Sequence, residues 1–69
     1  MATLISTYYS DTQANARAEV YRADDGSYYV EYFGADGHLI EHEQHQGKSI
    51  HFVEDAAENW ALGIKVLKG

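Results

Sequence analysis

The chain contains no cysteine, few basic residues and no long apolar run. Without cysteine it can form neither a disulfide nor a thiolate-ligated zinc site, which excludes the usual small secreted scaffold. No apolar stretch approaches the roughly 20 residues that a membrane-spanning helix needs, and residues 1–6 lack the basic start of a signal peptide. We therefore expect a soluble, cytoplasmic protein.

Basic residues are scarce relative to acidic ones. Five Lys and Arg residues against eleven Asp and Glu residues give a formal net charge of −6. A protein with this charge repels the phosphate backbone of nucleic acids unless its few cations cluster on one patch. We therefore expect neither direct nucleic-acid binding nor membrane binding.

The length of the chain is close to the lower limit for a self-sufficient domain. Its 69 residues are enough for one domain, spanning 1–69. A core of this size is marginal without disulfides, metals or self-association. A homodimer is therefore the expected assembly.

The longest periodic pattern lies in the C-terminal third. Apolar residues recur there at alternating spacings of three and four, the period of one helix face: Ile50, Val53, Ala57, Trp60, Ile64 and Leu67. Ser49 precedes this stripe as a candidate N-cap, and Lys65 and Lys68 lie where a helix C-terminus favours cations. The pattern predicts an amphipathic helix over about 50–67 that needs a partner surface.

Four segments rich in β-branched and aromatic residues precede this helix. They predict strands at about 3–10, 16–23, 27–33 and 38–45, and the last two connectors both end in Asp-Gly. The predicted fold class is α+β: a four-stranded antiparallel β-meander covered on one face by a single C-terminal α-helix. The sequence leaves open whether the first strand pairs with the second or lies at the other edge.

The length of each connector sets the register of its hairpin, and we favour the length that places apolar residues opposite each other. A two-residue turn would pair Val20 with Glu31, whereas a three-residue loop with a bulge glycine pairs Val20 with Val30. The same loop after the third strand pairs Tyr32 with Ile40 and continues the apolar face. We expect the helix to pack against that face.

The opposite face of the predicted sheet combines aromatic residues with a row of carboxylates. The register places Glu19, Glu31 and Glu41 side by side, where like charges destabilise by about 0.2–1 kcal/mol per pair unless they are solvated or covered by a cation. Tyrosine is favoured where one end of the ring is buried and the other is wet. We predict an interface on this face: Tyr21, Tyr29, Phe33, Leu39, Glu19, Glu31 and Glu41. A homodimer through this face is the leading expectation, and a different, more basic partner is the alternative.

The chain offers no catalytic motif. It has neither a nucleophile elbow nor a cysteine, and His38 and His42 would lie about 13 Å apart along a strand, too far to share a metal. We expect no catalytic residues, no cofactor and no metal site, and a non-enzymatic protein-interaction module is the leading function. Two alternatives stay open: a small metal-dependent or acid/base enzyme that uses the Glu19, Glu31 and Glu41 row, and an acidic mimic of nucleic acid.

Two segments resemble the small uncharacterised proteins found in marine cyanophage genomes: Leu-Ile-Ser-Thr-Tyr-Tyr-Ser-Asp near the start, and Ser-Ile-His-Phe-Val-Glu-Asp-Ala-Ala-Glu-Asn-Trp-Ala-Leu-Gly-Ile-Lys from Ser49. The order of elements is also similar to that of small bacterial β-β-β-α domains of unknown function. The phage resemblance implies an accessory protein made during infection, with a host protein as its partner in the host cytoplasm. Neither group supplies catalytic residues.

Overall fold

A computed structural model of the chain describes residues 1–64. Its elements are β1 (Thr3–Tyr9), β2 (Arg17–Arg22), β3 (Tyr28–Phe33), β4 (Leu39–His45) and α1 (Ile50–Ala61). The strands form one antiparallel sheet in the order β1-β2-β3-β4, and α1 packs across β1, β2 and β3. The predicted α+β class is confirmed, and the first strand pairs with the second. No helix within residues 1–64 is long and apolar enough to cross a membrane.

The core lies between α1 and the two central strands. It consists of fully buried residues from these three elements: Ala18, Val20, Val30, Tyr32, Val53 and Ala57. Burial of a side chain the size of valine stabilises the fold by about 1.5–3 kcal/mol, so these few core residues account for much of the stability of the fold. Trp60 packs at the margin of this cluster, edge-on to Tyr32, with the ring centroids 5.2 Å apart.

The N-terminus of α1 is capped as predicted, but the helix is shorter than predicted. The Ser49 hydroxyl accepts a hydrogen bond from the backbone N–H of Phe52 at 3.3 Å, which satisfies one of the free amides at the helix start. The predicted end at about 67 is wrong, because α1 ends at Ala61. Lys65, Leu67 and Lys68, which the prediction placed in the last turns, lie outside the described residues.

Gly63 is the reason that α1 ends early. It has a φ of +84°, and its N–H donates to the Trp60 carbonyl at 3.0 Å while the Ile64 N–H donates to the Asn59 carbonyl at 2.8 Å. This pair of bonds is the Schellman motif, which ends a helix at a glycine in the left-handed region. Ile64, predicted to continue the buried stripe, is therefore 71% exposed.

Both Asp-Gly connectors form three-residue loops, as predicted. Gly26 and Gly37 close them with φ values of +89° and +86°, a conformation that glycine adopts without steric cost. In the first hairpin the predicted register is confirmed, and Val20 lies opposite Val30. The apolar residues of β2 and β3 thus share the face that α1 covers.

The second hairpin departs from the predicted register within β4. Phe33 pairs with Leu39 but Tyr32 pairs with Glu41, so that Ile40 is the extra residue of a β-bulge. The prediction that Ile40 lies opposite Tyr32 is wrong, and its side chain is 46% exposed. Every residue of β4 after the bulge therefore faces the side opposite to the one expected.

The bulge gives the buried Tyr32 hydroxyl a hydrogen-bond acceptor. Glu43 lies opposite Val30 on the face that α1 covers, and its Oε1 atom accepts from the Tyr32 hydroxyl at 3.0 Å. A buried phenol needs such a partner, whereas the predicted register would turn Glu43 to the other face. Because α1 packs over β1 to β3, Glu43 lies at the rim of the covered face and stays half-buried.

Candidate functional site: the open face of the sheet

The face of the sheet turned away from α1, which we call the open face, carries three rows of side chains that cross the strands. From one end to the other they are a first row of Tyr9, Arg17, Phe33 and Leu39, a central row of Thr7, Glu19, Glu31 and His42, and a third row of Leu4, Tyr21, Tyr29 and Gln44. The two outer rows are mainly apolar and aromatic. The central row is polar.

Six of the seven predicted interface residues lie on the open face: Tyr21, Tyr29, Phe33, Leu39, Glu19 and Glu31. The predicted placement of Glu41 on this face is wrong, because the bulge places it opposite Tyr32 on the side that α1 covers. His42 takes its place beside Glu31. The sequence contained one signal for this exchange, since the buried phenol of Tyr32 requires an acceptor on its own face.

Glu19 is held by two donors from its own strand. Arg17 Nε donates to Glu19 Oε2 at 2.8 Å, and the Tyr21 hydroxyl donates to Glu19 Oε1 at 2.6 Å. Burial acts to raise the pKa of the Glu19 carboxyl, but these two hydrogen bonds hold it below its ordinary value. The hydrogen bond from the Tyr21 hydroxyl to Glu19 raises the pKa of Tyr21 to about 12. Glu19 is therefore an ionised and already bonded carboxylate near neutral pH, which makes it a poor general base.

Glu31 lies directly opposite Glu19 and has a different neighbour. His42 Nδ1 is 3.3 Å from Glu31 Oε2, and both side chains are partly open to solvent. The two adjacent carboxylates thus have separate partners, Arg17 for one and His42 for the other. Of the two alternatives for the carboxylate row, solvation or a covering cation, the open face itself supplies a cation for Glu19, the Arg17 guanidinium.

Stacked rings connect the central row to the third row. Tyr21 and Tyr29 stack with their centroids 5.2 Å apart, and Tyr29 stacks on His42 at 4.6 Å. At the other end, the Arg17 guanidinium lies 4.3 Å from the centroid of Phe33, within cation–π range. Because each ring is held by its neighbours, a partner would meet a surface that is already ordered, which lowers the entropic cost of binding.

Exposed apolar side chains mark three corners of the open face. Leu4 and Tyr9 lie at the β1 side, Leu39 lies at the β4 side, and about half or more of each side chain is exposed. Scattered exposed apolar groups are ordinary, but these continue the aromatic rows into one patch. The patch has the composition of a protein interface, with aromatic residues and arginine around a small polar centre.

Within residues 1–64, no three His, Asp or Glu side chains are arranged to hold a metal ion. A shallow groove lies on the outer side of α1 and is lined by Phe52, Asp55, Ala56, Asn59 and Ile64. Its one ionisable group, Asp55, has no second acid or base among these lining residues.

A second polar cluster, which sequence reasoning missed, lies at the rim of the covered face. Glu43 Oε1 accepts from the Tyr32 hydroxyl and lies 2.9 Å from His45 Nε2, while the His45 ring packs edge-on against Phe52. Burial, and then the Glu43 carboxylate, raise the pKa of Tyr32, so that its phenol stays neutral. The cluster ties β3 and β4 to the start of α1.

Comparison of the chain with protein-family models, with curated proteins and with solved structures finds no match. The resemblance to cyanophage proteins stays a prediction. Function is therefore inferred from the geometry and charge of the open face.

Proposed function

We propose that the protein is a non-enzymatic protein-interaction module and that the open face is its binding surface. The observation that carries the proposal is the ordered stack of Tyr21, Tyr29 and His42 beside the paired carboxylates of the central row. Preformed aromatic surfaces with a small polar centre favour protein partners, because rigid rings lose little entropy on binding. The partner presents lysine or arginine to Glu19 and Glu31 and apolar groups to the outer rows.

Charge favours a basic partner over a second copy on the open face. In a face-to-face C2 dimer whose axis runs along or across the strands, the central row meets the central row of the other copy. Glu19 and Glu31 would then be buried against the same carboxylates, with one Arg17 guanidinium in each copy, and burial of like charges that are only partly compensated is costly. A basic surface supplies further cations instead, and the net charge of −6 attracts it from a distance.

The two alternative functions have less support. A carboxylate-row enzyme loses its third member, because Glu41 lies on the covered side, and Glu19 is held by Arg17 and Tyr21. A nucleic-acid mimic needs closely and regularly spaced negative charge. The open face instead combines two carboxylates with the Arg17 guanidinium. Where the cyanophage resemblance holds, the basic partner is a host protein.

A capture experiment with matched lysine substitutions tests the proposal. The immobilised wild type, Tyr29→Lys and Asn59→Lys would be exposed to cyanobacterial lysate at low and high salt. Tyr29→Lys places a cation on the open face, whereas Asn59→Lys places the same charge on the outer side of α1. We expect a basic protein on the wild type and on Asn59→Lys, with binding that weakens as salt rises.

The captured protein would then be purified and its affinity measured by calorimetry. Tyr29→Lys should weaken binding at least about tenfold, which corresponds to about 1.4 kcal/mol. Circular dichroism would check that both variants keep the fold. Equal affinities for the two lysine variants, or no captured protein at any salt concentration, would overturn the proposal.

A further inference from the structure

The two edges of the sheet differ in charge. β1 has seven residues, Thr-Leu-Ile-Ser-Thr-Tyr-Tyr, and none is charged. β4 has the same length but contains Glu41, Glu43 and three polar or histidine side chains after the bulge. An edge strand presents backbone groups that can pair with another chain, and charged side chains and bulges are the usual protection against this pairing. β4 has both forms of protection, whereas β1 has only a bulge, at Ile5 before the regular stretch from Ser6 to Tyr9, and no charge.

The second half of β1 is a regular edge with outward-facing backbone groups. The Ser10 N–H donates to the Ala16 carbonyl at 2.9 Å, which fixes the phase of the ladder between the two strands. Hydrogen-bonded and non-hydrogen-bonded pairs alternate in an antiparallel ladder. Thr7 and Tyr9 therefore direct their N–H and C=O groups away from β2. The register from Ser6 to Tyr9 is uninterrupted.

We propose that the protein forms a C2 dimer in which β1 pairs antiparallel with β1 of a second copy. The two four-stranded sheets become one continuous sheet. An isologous contact of this kind closes on itself and leaves no second β1 edge for further growth. Pairing of β4 with β4 would instead bring Glu41 and Glu43 close to the same carboxylates, which destabilises a sheet.

A second copy suits the β1 edge because the strand itself carries no charge that would lie directly opposite the same charge. The side chains next to the seam are Thr7 and Tyr9 on one face and Ser6 and Tyr8 on the other. Thr–Thr and aromatic pairs across strands are among the favourable ones. The contact also extends the hydrogen-bonded sheet of a domain whose core is small, and it leaves the open face free.

The carboxylates nearest to the seam predict how the dimer responds to salt. Glu54 of α1 accepts from the Ser6 hydroxyl at 2.6 Å, so each copy brings this carboxylate to the seam. Repulsion between the two copies is screened as ionic strength rises, with a Debye length of about 8 Å at physiological salt. The dimer therefore strengthens with salt, whereas binding of a basic partner to the open face weakens with salt.

Sedimentation velocity over a range of protein concentrations, at low and high salt, tests the proposal. Ile5→Glu adds a charge at the irregularity of β1, where the side chain is 40% exposed, and Ile40→Glu adds the same charge at the bulge of β4, where it is 46% exposed. We expect Ile5→Glu to raise the dimer dissociation constant about tenfold or more, and Ile40→Glu to leave it near the wild-type value.

Thr7→Pro provides a second variant that acts on the backbone. Proline removes one N–H, and at Thr7 that group points away from β2, so the ladder inside the sheet is kept. We expect a folded monomer by circular dichroism. In the wild type, hydrogen exchange at the Thr7 and Tyr9 amides should be slow at high protein concentration and fast on dilution.

Several outcomes would overturn the dimer. They are a wild type that is monomeric at every concentration and salt, an unchanged dissociation constant in Ile5→Glu, and an equal loss in Ile40→Glu. Tyr29→Lys separates this proposal from the proposed function, because it alters the open face and leaves the β1 edge intact. It should keep the dimer mass, and a fall in mass would place the self-contact on the open face instead.

Discussion

The two hairpins of the sheet close with the same loop but keep different registers. In the first loop the Asp25 carboxylate accepts from the Ser27 N–H at 2.9 Å, and in the second the Asp36 carboxylate accepts from the His38 N–H at 3.0 Å. In both loops the central Asp accepts a backbone hydrogen bond and the final glycine allows the positive φ of the turn. This shared loop chemistry determines only the strand pair next to each loop, and the registers differ further along the strands.

The strands of the two hairpins explain the difference in register. β2 and β3 both alternate fully buried residues with half-buried ones, so a slip of one residue would expose Val20 or Val30. After its bulge β4 is polar throughout, so burial of apolar side chains does not fix its register against β3. A polar contact fixes the register instead, because the Tyr32 hydroxyl donates a hydrogen bond across the hairpin to Glu43. In the first hairpin the equivalent bond, from Tyr21 to Glu19, stays within one strand and cannot set a register.

Single-residue deletions should give the largest contrast between the hairpins. Deletion of Glu19 makes Ala18 and Val20 neighbours, and because successive side chains point to opposite faces, one of them must leave the core. For a domain of this size the total stability is about 3–10 kcal/mol, so we expect this variant to be largely unfolded. Deletion of Ile40 removes the bulge residue, and Leu39 and Glu41 already face opposite sides.

Urea denaturation followed by circular dichroism measures both deletions. The variant without Ile40 should unfold cooperatively within about 1 kcal/mol of the wild type, in the range of a tolerated surface change. A variant without Glu19 that remains as stable as the wild type would show that β2 can slip. Loss of folding in the Ile40 deletion would show that the bulge itself is needed.

Removal of the cross-strand acceptor should have a smaller effect, confined to the second hairpin. Glu43→Ala should destabilise the protein by about 1–3 kcal/mol, because the Tyr32 hydroxyl is buried and loses an acceptor. Glu41→Ala is the matched control, since Glu41 lies on the same face and is also half-buried. We expect it to change the free energy of unfolding by about 0.5 kcal/mol or less. Equal effects in chemical denaturation would contradict the assigned role of Glu43.

Glycine substitutions should affect the two loops equally. A Cβ at Gly26 or Gly37 meets no atom of the described residues within 4 Å, so the cost of a side chain there is conformational. Valine should cost about 1–2 kcal/mol at either position, and asparagine less, because Asn tolerates positive φ. Thermal melts of the four variants would test this. A much larger cost at one loop would mean that the loops are not equivalent.

The smallest expected effect is the pH dependence carried by Tyr21 in the first hairpin. Its hydrogen bond to Glu19 raises its pKa from 10.0 to about 12 in the folded state. The hydrogen bond between neutral Tyr21 and Glu19 therefore stabilises the fold below about pH 10, and this stabilisation is lost as pH rises from there towards 12. Tyr21→Phe should flatten the fall of the melting temperature over that range, although exposure to solvent keeps the effect small. An identical slope in the two proteins would contradict the raised pKa.

Local patterns in the sequence determined most of the fold. Helix and strand identities, the Ser49 cap, both three-residue loops and the Val20–Val30 register followed from periodicity and from residues close together in the chain. Gly63 ends the helix, although the helix predicted over about 50–67 includes it as an interior position. Its effect depends on φ and on two backbone bonds that a spacing pattern does not contain.

Only the tertiary structure decided the composition of the open face. The bulge at Ile40 exchanged Glu41 for His42, and its cause, a bond between Tyr32 and Glu43, joins residues on different strands. The place of β1 beside β2 was equally undetermined, because an uncharged, half-exposed strand fits either edge of a sheet. Apolar burial fixes a register where both strands are apolar. Where one strand is polar, the register depends on which of its side chains reaches the buried hydroxyl, and that is known only once the core is packed.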